Sequence, residues 1–189
     1  MTDTPTGGGP AGRVFIACSL DGHIADRDGG IAWLEPYANA GEDHGYEQFM
    51  DSVDGLVVGR KTYETALGFP QWPYAKPVFV MSRTLSHDDV PEALRDGVEM
   101  HSGSPAELLA ALGARGMGAL YVDGGQVIQS FLDEGLIDEL TVTHVPILLG
   151  GGPPLFGPMD SSIALEHVDT RSFASGLVQS RYAVKRIAG

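Results

Sequence analysis

The sequence predicts an α/β fold: a mixed, mostly parallel central sheet with flanking helices and an antiparallel C-terminal edge. Three observations carry this. Short apolar runs of buried-strand length recur at residues 13–18, 55–59, 77–82 and 120–123. Stretches with helical spacing alternate with them, which implies parallel pairing through crossover helices. The last fifty residues are strand-rich, as an edge hairpin requires.

The elements follow in order. Residues 1–12 are rich in Thr, Gly and Pro with almost nothing to bury, so they read as a loose tail before a single domain over 13–189. Arg13-Val14-Phe15-Ile16-Ala17-Cys18 is the first strand. The polar stretch 21–30 is too long for a tight turn, and long loops in compact domains are often functional. Residues 42–50 fit a helix with Tyr46, Phe49 and Met50 on one face. Gly55-Leu56-Val57-Val58-Gly59 is a second strand, and Arg60 opens a short helix. Strand 77–82 is next. Ser104-Pro105-Ala106-Glu107 has the form of a capping box with proline at the first helical position. Leu120-Tyr121-Val122-Asp123 is a strand, and Val127, Ile128, Phe131 and Leu132 form the stripe of the helix after it. Residues 140–149 form a long strand whose Pro146 predicts a bulge or an edge position. Two terminal strands lie near 164–168 and 177–185.

Composition narrows the function. With 12 Lys+Arg against 25 Asp+Glu, the net charge of −13 argues against nucleic-acid and anionic-membrane partners. A membrane span is not expected, because no apolar run approaches about eighteen residues. The single cysteine, Cys18, excludes an internal disulfide framework and any cysteine-rich zinc site. No metal site is expected, since the six histidines lack metal-binding spacing. Without a secretory leader the default setting is reducing and cytoplasmic.

Positive charge is placed locally. Four basic residues (Arg60, Lys61, Lys76 and Arg83) and one acid (Glu64) fall between Gly55 and Arg83. Arg60, Lys61 and Arg83 follow strand ends, where they can converge on one anion; Thr62 and Ser82 add hydroxyls. Helix N-termini at such ends present free N–H groups. Gly124-Gly125 would let a diphosphate approach the backbone, although the same pair serves a plain strand-to-helix turn.

Taken together and in order, these segments resemble the dihydrofolate reductase fold family, over most of the chain. Phe15 to Ala25 look like the opening where nicotinamide sits, bordered by Ala17 and Ile24. Gly59-Arg60-Lys61-Thr62-Tyr63-Glu64 closely matches the family's Gly-Arg-x-Thr-x-Glu element for NADPH phosphates. Ser82-Arg83 stands where the 2′-phosphate is contacted. Gly124-Gly125-Gln126-Val127 resembles the glycine pair under the pyrophosphate, and Leu140 to Val145 is similar to the late Leu-x-Leu-Thr-His-Ile strand. Ser19 to Ala25 and Pro146 to Gly152 look like the reductase domain of the riboflavin-pathway deaminase-reductase and its stand-alone relatives. The deaminase half needs several cysteines, which this chain lacks. The element that grips the riboflavin enzyme's phosphorylated substrate is also missing.

The resemblance implies an NADPH-dependent reductase of a small pterin- or pyrimidine-like heterocycle, acting as a homodimer. By spacing back from Gly59-Arg60, Asp43 falls at the family's proton-relay acid, with Glu42 or Glu47 as alternatives. Thr143 falls at its threonine partner. Asp21 is a second candidate for substrate contact. Burial is expected to raise Asp43. The competing reading is a non-catalytic NADPH or nucleotide-binding module.

Overall fold

The computed structural model describes residues 9–38 and 41–185. Eight strands form one sheet: β1 (Ala11–Ser19), β2 (Gly55–Gly59), β3 (Val78–Met81), β4 (Val98–His101), β5 (Ala119–Asp123), β6 (Glu139–Val145), β7 (Leu165–Ser172) and β8 (Val178–Val184). Their spatial order is β4-β3-β2-β5-β1-β6-β8-β7. The first six pair parallel, while β8 and β7 add the antiparallel edge. The helices are α1 (Glu35–Ala38), α2 (Tyr46–Asp51), α3 (Arg60–Leu67), α4 (Pro105–Ala114) and α5 (Gly125–Asp133). No helix among the described residues is long and apolar enough to cross a membrane.

Strand alternation divides the core in two. Leu120 and Val122 of β5 face one layer with Leu108, Leu112, Ile128 and Phe131 from α4 and α5. Ala119 and Tyr121 face the other, with Phe49 of α2 and Tyr63 of α3. Phe131, Ile128 and Leu112 are almost wholly buried, each contributing about 1.5–3 kcal/mol. Helix α4 starts as its sequence demands: Ser104 Oγ accepts from Glu107 N–H while Glu107 Oε2 accepts from Ser104 N–H.

Four boundaries differ from expectation. Ala11 and Gly12, expected in the tail, begin β1, because Pro10, Ala11 and Gly12 are buried and Gly12 N–H is bonded to Asp138. Residues 1–8 lie outside the described residues. The helix expected from residue 42 starts at Tyr46, because Gly45 is left-handed at φ 78° and breaks it. Strand β6 stops at Val145, so Pro146 terminates an interior strand; the irregularity lies instead in β7, between His167 and Asp169. Strand β4 went unread because Val98-Glu99-Met100-His101 carries no apolar run; it is an edge strand whose Val98 alone is fully buried.

Candidate functional site

Strands β1 and β5 set the site by parting. Their pairing ends at Arg13↔Tyr121, yet β1 continues beside β6 as far as Ser19. Tyr121 Oη spans the opening by donating to the Phe15 carbonyl at 2.8 Å. A cleft therefore begins above Tyr121, between Ala17 on one side and Asp123-Gly124-Gly125 on the other.

The glycines are required by crowding. Gly124 has φ +97°, and a Cβ there would lie 2.6 Å from Thr62 Oγ1. A Cβ on Gly125 would lie 2.9 Å from Ile24 Cδ1 and 3.1 Å from the Pro154 carbonyl. Gly59 meets Val127 as closely, at 3.0 Å. Thr62, Ile24 and Val127 are thus gathered around the glycine pair, while Gln126 stays exposed.

Two adjacent strands, β2 and β5, each lead into a glycine that opens a helix with no side-chain cap: Gly59 for α3 and Gly124 for α5. Their first N–H groups have no capping side chain, unlike those of α4. Around them, Lys61 and Arg83 are exposed and form no ion pair or hydrogen bond among the described residues. Arg60 is engaged: Nε donates to Glu64 at 2.6 Å and a terminal nitrogen donates to Thr84 Oγ1 at 3.2 Å. Ser82 is buried, and its Oγ accepts from the N–H groups of Thr84 and Leu85, shaping the turn that carries Arg83.

The expected acids sit elsewhere than their spacing suggested. Asp43 is exposed, and its carboxylate accepts from Gly45 N–H at 2.8 Å. Because α2 starts late, Asp43 belongs to the turn before it and is not a semi-buried group. Of the alternatives, Glu47 is also exposed, and Glu42 holds the Ser175 N–H. Asp21 is consumed in structure. Its oxygens accept from Ser19 Oγ (2.6 Å), Gly150 N–H (2.7 Å) and Leu149 N–H (3.1 Å). The Ser19 hydroxyl and then the Leu149 N–H hold its carboxyl down at about 2. Thr143 is buried and accepts from Gln179 Nε2 at 3.0 Å, while Gln179 also donates to the His44 carbonyl.

A different acid stands in the cleft. Asp123, at the last position of β5, shares a face with Tyr121. Its surroundings raise the carboxyl from 3.8 to about 6; burial is the cause, opposed by the Gly124 N–H and the Tyr121 hydroxyl. Burial, and then the charge of Asp123, raises the hydroxyls of Tyr46, Tyr74 and Tyr121. Phe15 and Phe49 fill the base of this wall, with ring centroids 4.9 Å apart. The readable signal was an acid placed directly between an apolar strand and Gly-Gly. Trp33 lies in a 3-10 turn at Ala32–Leu34.

The family model for the RibD C-terminal domain matches residues 10–179. The chain belongs to that family. A relative in Bacillus subtilis, the uncharacterized protein YwjB, is 32% identical over 173 residues, covering 89% of this chain and 95% of YwjB. A solved structure from Shewanella sp. PV-4, described as a candidate riboflavin biosynthesis protein, superposes with a TM-score of 0.87 at 45% identity. That match covers 93% of this chain and 99% of the other. The fold alone is shared with two more distant structures. The deaminase/reductase of Thermotoga maritima, diaminohydroxyphosphoribosylaminopyrimidine deaminase/5-amino-6-(5-phosphoribosylamino)uracil reductase, gives 0.71 at 17% identity, with 94% of this chain matching 57% of that one. Dihydrofolate reductase from Enterococcus faecalis, complexed with NADP(H), gives 0.63 at 20%, covering 93% and 97%. This RibD C-terminal domain therefore carries a dihydrofolate reductase-like reductase fold.

Proposed function

We propose that the protein is an NADPH-dependent reductase of a small pterin- or pyrimidine-like heterocycle. The observation that carries the reading is the pair of uncapped helix starts beside two unpaired cations, Lys61 and Arg83, at one end of the sheet. Such an arrangement suits a ligand with several phosphates. Arg83 and Lys61 would hold the 2′-phosphate on the turn shaped by Ser82, with Arg60 at its rim. The N–H groups following Gly59 and Gly124 would receive the diphosphate, next to Thr62, Gly125, Gln126 and Val127. Ala17 and Ile24 would border the nicotinamide.

When bound, NADPH supplies the hydride. The chain's part is to orient the substrate and to hold the proton that reduction of a C=N or C=O bond also needs. Asp123, raised to about 6, takes this part in place of Asp43. Tyr121 braces the strand gap beneath it, and the face of β1 bearing Phe15 and Ala17 supplies an apolar wall. Thr143 and Asp21 act as supports, the first through Gln179 and the second by tying loops together.

The same reading places the protein in a reducing, cytoplasmic setting, where the free and buried Cys18 stays a thiol. It also makes the protein a homodimer, supported by the exposed edge strand β7 with Leu165 and Val168 outward.

Melting curves with NADPH and NADH test the proposal. Saturation at about a hundred times the dissociation constant adds about 2.7 kcal/mol. A shift selective for NADPH, weakened about ten- to a hundredfold by Arg83→Ala or Lys61→Ala, is expected. No shift with either nucleotide refutes the reading.

A further inference from the structure

The register of β1 with β5 ends at Arg13↔Tyr121, so Phe15 and Asp123, two residues further along each strand, stand past the last pair. The Phe15 carbonyl is thus carried beyond this ladder, and a carbonyl shielded from water needs a donor. Tyr121 supplies it. The side chain is buried, and Oη donates to that carbonyl at 2.8 Å. Packing fixes the ring, which meets Phe49 edge-on with centroids 5.0 Å apart, and Phe49 lies against Phe15 in turn. Oη therefore has a fixed place, and only its hydrogen can turn.

The same oxygen serves Asp123. Both residues point to one face of β5, two positions apart, and their side chains share a hydrogen bond. A phenol has one hydrogen and two lone pairs. With its hydrogen on the Phe15 carbonyl, Oη can only accept from Asp123, so Asp123 must bring the proton. The chain then runs from Asp123 O–H to Tyr121 Oη, and from Tyr121 O–H to the Phe15 carbonyl. Once Asp123 is a carboxylate, the carboxylate and the carbonyl compete for one hydrogen. A bond to an ionised acceptor is about twice as strong as a neutral one, so the hydroxyl turns to Asp123. The other groups around Asp123 leave this competition in place. Its backbone donor is the Gly124 N–H. Tyr46 of α2 and Tyr74 of the segment before β3 face it as neutral phenols. Phe15 and Ala17 of β1 bring no charge. Among the described residues, no Lys, Arg or His forms an ion pair with it.

We infer that Tyr121 is the positioning residue of the proton step: its hydroxyl rests on the Phe15 carbonyl while Asp123 is an acid, and turns to Asp123 once the proton has left. The inference rests on the reductase reading and deepens it. In that reaction Asp123 gives its proton to the nitrogen or oxygen of the substrate's double bond, and the neighbouring carbon takes the hydride that bound NADPH supplies. The Asp123 O–H bond breaks, an N–H or O–H bond forms, and a carboxylate is left. Tyr121 neither gains nor loses a proton; its hydrogen changes acceptor by rotation about the Cζ–Oη bond. The new charge is met by a donor already in place, and no heavy atom has to move.

The test follows the 13C signals of the Asp123 carboxyl and the Phe15 carbonyl in labelled protein from pH 4 to 8. Both should titrate with one midpoint, at about 6 in the native protein. The Phe15 signal should stand still in Asp123→Asn, whose amide donates to Oη at every pH. This comparison needs no change at Tyr121. In Tyr121→Phe, which keeps the ring against Phe49, the Phe15 signal should also stand still, and the Asp123 midpoint should rise by about 1–2 pH units. A Phe15 carbonyl that stays fixed while native Asp123 titrates, or that follows it equally in Tyr121→Phe, would overturn the inference. On a reducible substrate, the alkaline limb of turnover should move upward with that midpoint in Tyr121→Phe; a lowered plateau on an unmoved limb would reduce Tyr121 to a structural brace. Linked titration in a protein that NADPH fails to stabilise would overturn the reductase reading and leave the hydroxyl switch standing. Unlinked titration in a protein that NADPH stabilises would overturn the switch alone.

Discussion

Replacing Asp123 by Asn should make the protein more stable at neutral pH while impairing its chemistry. Between about pH 4 and 6 the folded protein holds a proton on Asp123 that the unfolded chain has released, since the carboxyl sits near 6 against an ordinary 3.8. Raising the pH through that window therefore lowers stability, and above it the loss is complete. A displacement of that size corresponds to about 2–3 kcal/mol, the lower figure allowing for the solvent that reaches a half-buried group. Asn is isosteric and has no charge to bury. The variant should match the native protein near pH 4 and exceed it by about 2–3 kcal/mol at pH 8, or roughly 5–10 °C in melting temperature for a domain of this size. Paired urea melts from pH 4 to 8 read the difference directly, and the acid response of Asp21 cancels between the two proteins. A difference that stays flat with pH, or that favours the native protein at pH 8, would refute the argument that its surroundings disfavour the ionised form of Asp123. On a confirmed substrate, the same change should lower turnover by about 10²–10⁴.

Other outcomes follow from the same geometry. Asp43→Ala should leave turnover within about twofold of native, in contrast to Asp123→Asn, because its carboxylate only shapes an exposed turn; a loss above a hundredfold in steady-state assays would restore Asp43 as the acid. Asp21 binds its protons less readily folded than unfolded, so its contribution is present above about pH 4 and fades as the pH falls toward 2. Asp21→Asn should flatten that acid limb in melting curves and speed hydrogen exchange at the Leu149 and Gly150 amides. Gly124→Ala should cost about 1–3 kcal/mol in denaturant melts, through its positive φ and the clash with Thr62. A companion Thr62→Ala should recover only part of this, since the backbone strain remains; full recovery would show that φ is not the constraint.

The sheet was legible because its interior strands are buried on both faces and so read as unbroken apolar runs, as in Leu56-Val57-Val58. The capping box of α4 was legible because both its partners are local. What was hidden depends on distance in the chain. Asp43 was misplaced because spacing was counted back through Gly45, whose left-handed backbone shortens the helix. The burial of Asp123 depends on side chains brought together by β1, α2 and the stretch that bears Tyr74. The engagement of Asp21 depends on Leu149 and Gly150, more than a hundred residues away. A groove beside α2 brings Arg13 together with Arg171 and Arg181, from opposite ends of the chain.

The loop after β1 is tied to the loop after β6 along its length. Leu20 N–H meets the Ile147 carbonyl, Ile24 N–H the Pro153 carbonyl, and Leu155 N–H the Gly22 carbonyl. Arg27 donates to the Gly150 carbonyl and lies so close over Gly151 that a side chain there would strike it. Swinging this loop aside would mean breaking that whole seam at once. The side of the cleft proposed for nicotinamide is thus a masonry wall and not a door, erected before any ligand arrives. None of a ligand's affinity is diverted to assembling it.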